Sequence, residues 1–188
     1  PDYRFRFDRN PPTEASPDLR RGLSEAVIAL GIWHDRVSGV PGAVHLSERA
    51  VADLLSGADA ARWWSLSNDF RRLAEAGPDA FLSAIDRALD TQPSPIASLF
   101  RSDEGLLHAQ EYLSDLLWAL EILCWSPDHA GRATLILARL AEADPGGKIA
   151  NRPKETLARI FLPLRPQTFA PPPDRIALLH VIVRRWPV

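Results

Sequence analysis

The sequence predicts an all-α protein built from antiparallel helical hairpins. Apolar residues recur at three- and four-residue spacing along most of the chain, and no two segments alternate as a pair of strands would. The same proline-containing joint also occurs twice between apolar helices. We therefore expect one domain over residues 1–188, with its hairpins stacked as in a HEAT- or armadillo-like α-solenoid. An irregular helical bundle is the alternative.

The first 60 residues predict an irregular segment followed by two helices. Residues 1–15 are polar and proline-bearing. The Ser-Pro-Asp stretch that opens residues 16–31 suits a helix start, because it supplies a hydroxyl cap, a first-turn proline and an acid at the positive helix end. A loop is expected over 38–46, and a short helix over 47–57, where Gly57 would end it.

Two helical hairpins are predicted in the middle of the chain, over 63–90 and 112–143. Each contains a joint in which Pro and Asp follow a small residue, at Pro78 and at Pro127. Proline is tolerated there because its missing N–H would have no partner in the first helical turn. The two prolines are 49 residues apart. This spacing is close to that of HEAT repeats, and the proline-rich connector before the second hairpin accounts for the excess.

Residues 144–188 predict proline-rich loops with two short helices, at about 154–161 and 175–185. The last helix leads into Trp186 and Pro187, which predicts a third joint whose second helix is missing. Since the chain also has no methionine, we expect it to be a piece of a longer protein.

Five short segments between residues 106 and 187 carry a resemblance to known proteins: CWSP (124–127), DPGG (144–147), NRP (151–153), IFLP (160–163) and PQT (166–168). With these segments, residues 106–187 resemble the helical-repeat part of very large bacterial proteins, some of which carry a STAND-type (NLR-like) NTPase module. The resemblance implies a sensor or scaffold role, such as one in antiviral defence. No catalytic residue transfers with it, because the nucleotide-binding motifs of such proteins would lie outside these residues.

No catalytic, cofactor-binding or metal site is expected. The stretch DPGGKIANR at 144–152 lacks the first glycine and the hydroxyl residue of a phosphate loop. The five histidines are not spaced as metal ligands, and Cys124 lies within an apolar stripe, as a small buried hydrophobe does. A single cysteine suits a reducing cytoplasm, and no signal peptide or membrane span is apparent. An enzyme with an unrecognised site remains a third hypothesis.

Two sets of residues are candidates for partner binding. Trp63 and Trp64 are adjacent and cannot both face one core, so one ring is expected at the surface for a partner. By contrast, Trp118 and Trp125 share one helix face and predict core packing.

The second set lies in the basic region from Lys148 to Val188, whose net charge of +6 contrasts with −2 for the whole chain. Its candidates are Arg152, Arg159, Arg165 and Trp186. The main hypothesis is a non-catalytic protein–protein interaction or sensor module, and nucleic-acid binding through the basic region is the alternative.

Overall fold

The computed structural model describes residues 16–33, 42–100, 112–146 and 151–186, and all regular structure in these ranges is helical. The all-α prediction is therefore confirmed. Two 3₁₀ segments, Ser67–Asp69 and Pro95–Phe100, accompany the α-helices. The α-helices are α1 (Pro17–Ile32), α2 (Ala43–Leu55), α3 (Ala60–Ser65), α4 (Phe70–Ala76), α5 (Pro78–Asp90), α6 (Tyr112–Trp125), α7 (Pro127–Glu142), α8 (Pro153–Ile160) and α9 (Pro172–Arg185).

Proline begins five of these helices, as the two central joints predict. Pro78 and Pro127 are the first residues of α5 and α7, and each follows the preceding helix after a single residue. At the start of α1 the Ser16 hydroxyl accepts a hydrogen bond from the backbone N–H of Leu19 at 3.1 Å. The cap expected at Ser16 is thus present.

The helices pack in two rows. In the first row α1 contacts α4, and α4 contacts α6. In the second row α2 contacts α5, α5 contacts α7, and α7 contacts α9. The core cluster draws on both rows, and α6 contributes more of its buried side chains than any other described helix. The largest fully buried side chains include Trp63, Phe70, Phe81, Leu82, Ile85, Ile96, Leu113 and Leu116.

Neighbours in the second row run in the same direction. Along α5 and α7 the side chain of Asp79 lies 3.8 Å from His129, Asp86 pairs with Arg132 at 3.0 Å, and Asp90 pairs with Arg139. The order of partners is therefore the same on both helices. Helices α7 and α9 also run in the same direction, because Gly131 lies against Leu178 in their first halves and Glu142 accepts a hydrogen bond from the Trp186 indole at their ends.

The hairpin of α4 and α5 is held to α2 at its joint. Gly77 precedes α5 and offers no side chain to cap it. The Glu48 carboxylate of α2 instead accepts hydrogen bonds from the backbone N–H groups of Asp79 and Ala80, at 3.2 and 2.7 Å. A Cβ at Gly77 would lie 3.0 Å from the side chain of Val51, so the absence of a side chain permits this approach. A carboxylate from one helix thus caps the next helix of its row.

Three boundaries differ from the sequence expectations. The helix expected over 63–76 is divided into α3, a 3₁₀ segment and α4, because the Asp59 carboxylate caps an earlier start and the Ser-Asn-Asp run at 67–69 favours turns over helix. Helix α2 begins at Ala43 rather than at Ser47. Helix α9 begins at Pro172 rather than at Arg175, since two prolines fit its first turn. Residues 1–15 and Pro187 lie outside the described residues.

Candidate partner-binding surface

The described part of the chain offers no cluster suited to metal chemistry. No group of three or more His, Cys, Asp or Glu side chains within it is placed to hold a metal ion. Cys124 is fully buried in α6, and burial, together with the nearby Glu121 carboxylate, raises the pKa of its thiol to about 12. The thiol is therefore protonated at neutral pH and is a poor nucleophile. Among the helices of these ranges, none is both long and apolar enough to cross a bilayer.

The tryptophan pair of α3 is divided between core and edge. Trp63 is 1% exposed and packs against Phe70 at a ring-centroid distance of 5.6 Å, so its ring lies in the core and not at the surface. Trp64 is half-buried and stacks on Tyr112, with centroids 5.2 Å apart and planes 12° from parallel. The Trp64 ring packs at the margin of the same core cluster and is covered on one side by Tyr112, so the expectation that one ring of the pair lies at the surface for a partner is not supported.

Two of the three candidate arginines are engaged by acids elsewhere in the chain. Arg152 forms an ion pair with Asp144 in which both side chains are largely buried. Arg159 reaches Glu121 of α6 at 2.9 Å and the Asn151 side chain at 3.2 Å. These guanidinium groups join α8 and its preceding loop to the rest of the fold. A phosphate that approached Arg152 would compete with a carboxylate in a largely buried pair, whereas the Arg159 side chain is paired but still 44% exposed.

The remaining two candidates differ from each other. Arg165 is exposed in the segment between α8 and α9. Trp186 is partly buried, and its indole N–H donates to the Glu142 carboxylate of α7 at 2.7 Å. The Arg185 guanidinium lies 5.1 Å from the centre of the Trp186 ring. Trp186 therefore fastens α9 to α7.

An exposed aromatic surface on α6 was not among the predicted partner residues. Trp118 and Trp125 of α6 are 44% and 41% exposed, which contradicts the expectation that they pack in the core. Phe169, 74% exposed, lies against Trp125 with ring centroids 5.1 Å apart. The Arg71 guanidinium of α4 lies 5.5 Å from the centre of the Trp118 ring. We call Trp118, Trp125 and Phe169 the aromatic ridge.

A polar residue on the same side of α6 marks this face as the outer one. Asp115 lies one turn before Trp118 and is half-buried. Partial burial raises the pKa of its carboxyl, and the positive charge of Arg71 opposes that rise. The aspartate was the sequence signal that could have placed both tryptophans at the surface. The seven-residue spacing of the tryptophans identifies a shared face but not the direction in which it points.

A small apolar groove lies between α1, α2 and α4. It encloses about 190 Å³ and is lined mainly by aliphatic side chains such as Val27, Val51 and Leu73. An ion pair between Asp69 and Arg72, at 2.6 Å, lies at its edge. A volume of this size is below the usual range of small-molecule sites and fits a single side chain of a partner.

No family model, no curated protein and no solved structure matches this chain. The resemblance of residues 106–187 to the repeats of large bacterial proteins therefore stays a prediction.

Proposed function

We propose that this chain is a non-catalytic helical-repeat module of HEAT-like type that binds a protein partner through the aromatic ridge. The observation that carries the proposal is the exposure of Trp118 and Trp125 on α6, with Phe169 held beside Trp125 by a hydrogen bond from its backbone N–H to the Trp125 carbonyl at 3.4 Å. The resemblance extends the proposal to a sensor or scaffold within a larger bacterial protein. A reducing compartment such as the cytoplasm suits it, because the chain has a single cysteine and no disulfide framework.

The repeat part of the proposal is supported by similar sequence offsets between contacting residues of α4 and α6, of α5 and α7, and of α7 and α9, whereas the contact of Glu48 in α2 with Asp79 in α5 spans only 31 residues. Arg71 of the first row contacts Trp118, 47 residues later. In the second row, Asp86 contacts Arg132 at an offset of 46 residues, and Glu142 contacts Trp186 at an offset of 44. Offsets of this size match the length of a HEAT unit. Parallel neighbours at similar offsets are expected when each hairpin packs on the previous one, as in a solenoid.

The partner-binding part is supported by the residue types of the ridge. Tryptophan and arginine are enriched among the residues that dominate binding energy in protein interfaces. Each large aromatic side chain that becomes buried removes about 150–250 Å² of surface from water. The ridge also has a polar margin, because Arg71 and Asp115 flank Trp118. An apolar centre with a polar rim is the usual arrangement of a protein interface.

The nucleic-acid alternative has less support from the contacts of the basic region. Its charge is +6 by count, yet Arg152 and Arg159 pair with Asp144 and Glu121. The salt dependence of binding to labelled DNA and RNA would distinguish the two functions. Tight binding that weakens steeply with salt and is lost in Arg165→Ala would favour the nucleic-acid function.

The proposal is tested by removing the ridge while keeping the fold. The variant Trp118→Ala/Trp125→Ala and the control Leu19→Ala, which truncates another exposed apolar side chain, would be compared with the unchanged chain. Each protein would be immobilised and used to capture partners from the cells that produce it, after thermal melts verify folding. We expect a partner that is retained by the unchanged chain and the control and is lost in the ridge variant. Equal capture by all three would refute a role of the ridge.

A further inference from the structure

The last helix is attached to the fold along one narrow side. Helices α6 and α9 are both 14 residues long, yet α6 buries nine side chains and α9 buries only that of Ile182. Among the described helices, α9 packs chiefly against α7. Its other sides carry exposed apolar and charged side chains such as Ile176, His180 and Arg184. Burial of apolar surface therefore holds α9 in place much less firmly than it holds α6.

Two contacts define the docked position of α9. In its first half, Leu178 lies against Gly131 of α7, 3.6 Å from the position that a Cβ of Gly131 would occupy. At its end, the Trp186 indole N–H donates to the Glu142 carboxylate at 2.7 Å. The Glu142 side chain is exposed, so water competes for this hydrogen bond. We call the contact of Trp186 with Glu142 the latch.

The side chains buried between α7 and α9 are separate from the main core. Ala138 of α7 and Ile182 of α9 both lie between the two contacts along their helices. They are 3% and 8% exposed, yet neither belongs to the core cluster, which extends from α2 to α8. Loss of the packing between α7 and α9 therefore leaves the core cluster intact.

The segment that precedes α9 is anchored on its own. Thr168 and Ala170 are buried, and the backbone N–H of Phe169 donates to the Trp125 carbonyl at 3.4 Å. Residues 171–173 are all proline and supply no backbone N–H. The helical N–H donors of α9 therefore begin only after this point, and α9 can unravel without loosening the anchored segment.

From these observations we propose that α9 is a strap, which opens from α7 as a local unit while the other described helices stay folded. A detached helix of this length is only marginally stable in water, so the open strap also unravels. Opening uncovers the side of α7 that carries Gly131 and Ala138. The strap therefore controls access to this side of α7. Its opening is independent of the function proposed for the aromatic ridge.

Hydrogen exchange followed by mass spectrometry tests the strap. Exchange rates of backbone N–H groups in peptides from α9 and α6 are compared after correction for their intrinsic rates. Ile182→Asp places a charge on the buried side of α9, and Val183→Asp places the same charge on the next residue, which is 62% exposed. Trp186→Phe removes the N–H of the latch and keeps an aromatic ring. Trp33→Phe, at an exposed tryptophan next to α1, is its control.

We expect α9 of the unchanged chain to exchange at least roughly 100-fold faster than α6, because α9 opens locally and α6 exchanges only when the core opens. Ile182→Asp should remove the protection of α9 alone, since a buried charge opposes docking, and Val183→Asp should retain it. Trp186→Phe should speed exchange of α9 about tenfold through the loss of one hydrogen bond to a charged acceptor. It should leave α6 unchanged, and Trp33→Phe should leave α9 unchanged.

Two results would overturn the strap. A common exchange rate for α6 and α9, or a loss of protection in both helices in Ile182→Asp, would show that they unfold as one cooperative unit. An α9 that has no protection in the unchanged chain would show that the docked position is not the stable one.

Discussion

Substitution of Gly31 by alanine tests the closest contact between the first two hairpins. Gly31 lies in the last turn of α1, and a Cβ at this position would be 2.6 Å from the carbonyl oxygen of Ala76. The Ser47 hydroxyl would be 3.1 Å away on the other side. Gly22 of the same helix is the matched control, because a Cβ there has no neighbour within 4 Å.

The expected changes in the free energy of unfolding have opposite signs at the two positions. Alanine in place of an interior helical glycine stabilises a helix by about 1 kcal/mol, so we expect Gly22→Ala to be more stable by roughly 0.5–1 kcal/mol. At Gly31 an ordinary contact would require a displacement of about 0.8 Å from a backbone atom of another helix. Overpacking of this kind costs about 1–3 kcal/mol. The net result for Gly31→Ala is a loss of about 1–2 kcal/mol.

Urea denaturation of the unchanged chain and both variants measures the difference. For a chain of this length each kcal/mol corresponds to about 2–4 °C in Tm, so thermal melts give a second estimate. The m-value should not change, because neither variant alters the surface exposed on unfolding. A Gly31→Ala variant as stable as Gly22→Ala would refute the close approach of α1 to α4.

Three further predictions concern single side chains. Glu48→Ala should lower the free energy of unfolding by about 0.5–2 kcal/mol, because α5 loses its cap, whereas removal of the exposed Glu75 carboxylate should change it little. Cys124 should not react with a thiol reagent at pH 8 until urea unfolds the chain, since the pKa of the buried thiol is about 12; rapid labelling of the native protein would contradict its burial. Burial raises the pKa of Asp115, so the carboxyl binds its proton more tightly in the native chain than in the unfolded chain. The stability that this tighter proton binding contributes is lost as pH rises from about 4 through the native pKa. Asp115→Asn should therefore be more stable than the unchanged chain at pH 7, and urea titrations should show the difference shrinking toward pH 3.

The helices could be predicted from sequence where a local signal fixes their ends. Pro78 and Pro127 place the starts of α5 and α7 correctly, because a proline ring fits only the first turn of a helix. The start of α2 could not be predicted in this way. Gly42 precedes it with φ at +75° and no side-chain cap, so the boundary depends on backbone conformation alone.

The partner residues were harder to predict because pairing between distant helices is not visible in a single sequence. Arg159 reaches Glu121 across 38 residues, and Trp186 reaches Glu142 across 44. From residue type alone, Arg159 would be expected to be a free cation and Trp186 a free indole. The aromatic ridge was missed for the same reason, since an α-helix as apolar as α6 has no obvious outer face until its neighbours are known.

The basic region illustrates how long-range pairing changes a functional inference. By count, residues 148–188 carry +6, and residues 58–147, with 14 acids and seven arginines, carry −7. Asp144 and Glu121 of the acidic part hold Arg152 and Arg159 of the basic part. The excess negative charge of residues 58–147 and the excess positive charge of residues 148–188 therefore stabilise the packing of α8 against α6 and α7. The electrostatic field available to an outside phosphate is smaller than the net charge of residues 148–188 implies. Arg165, Arg184 and Arg185 remain exposed near the end of the described residues, so a test of nucleic-acid binding should start with substitutions at these three positions.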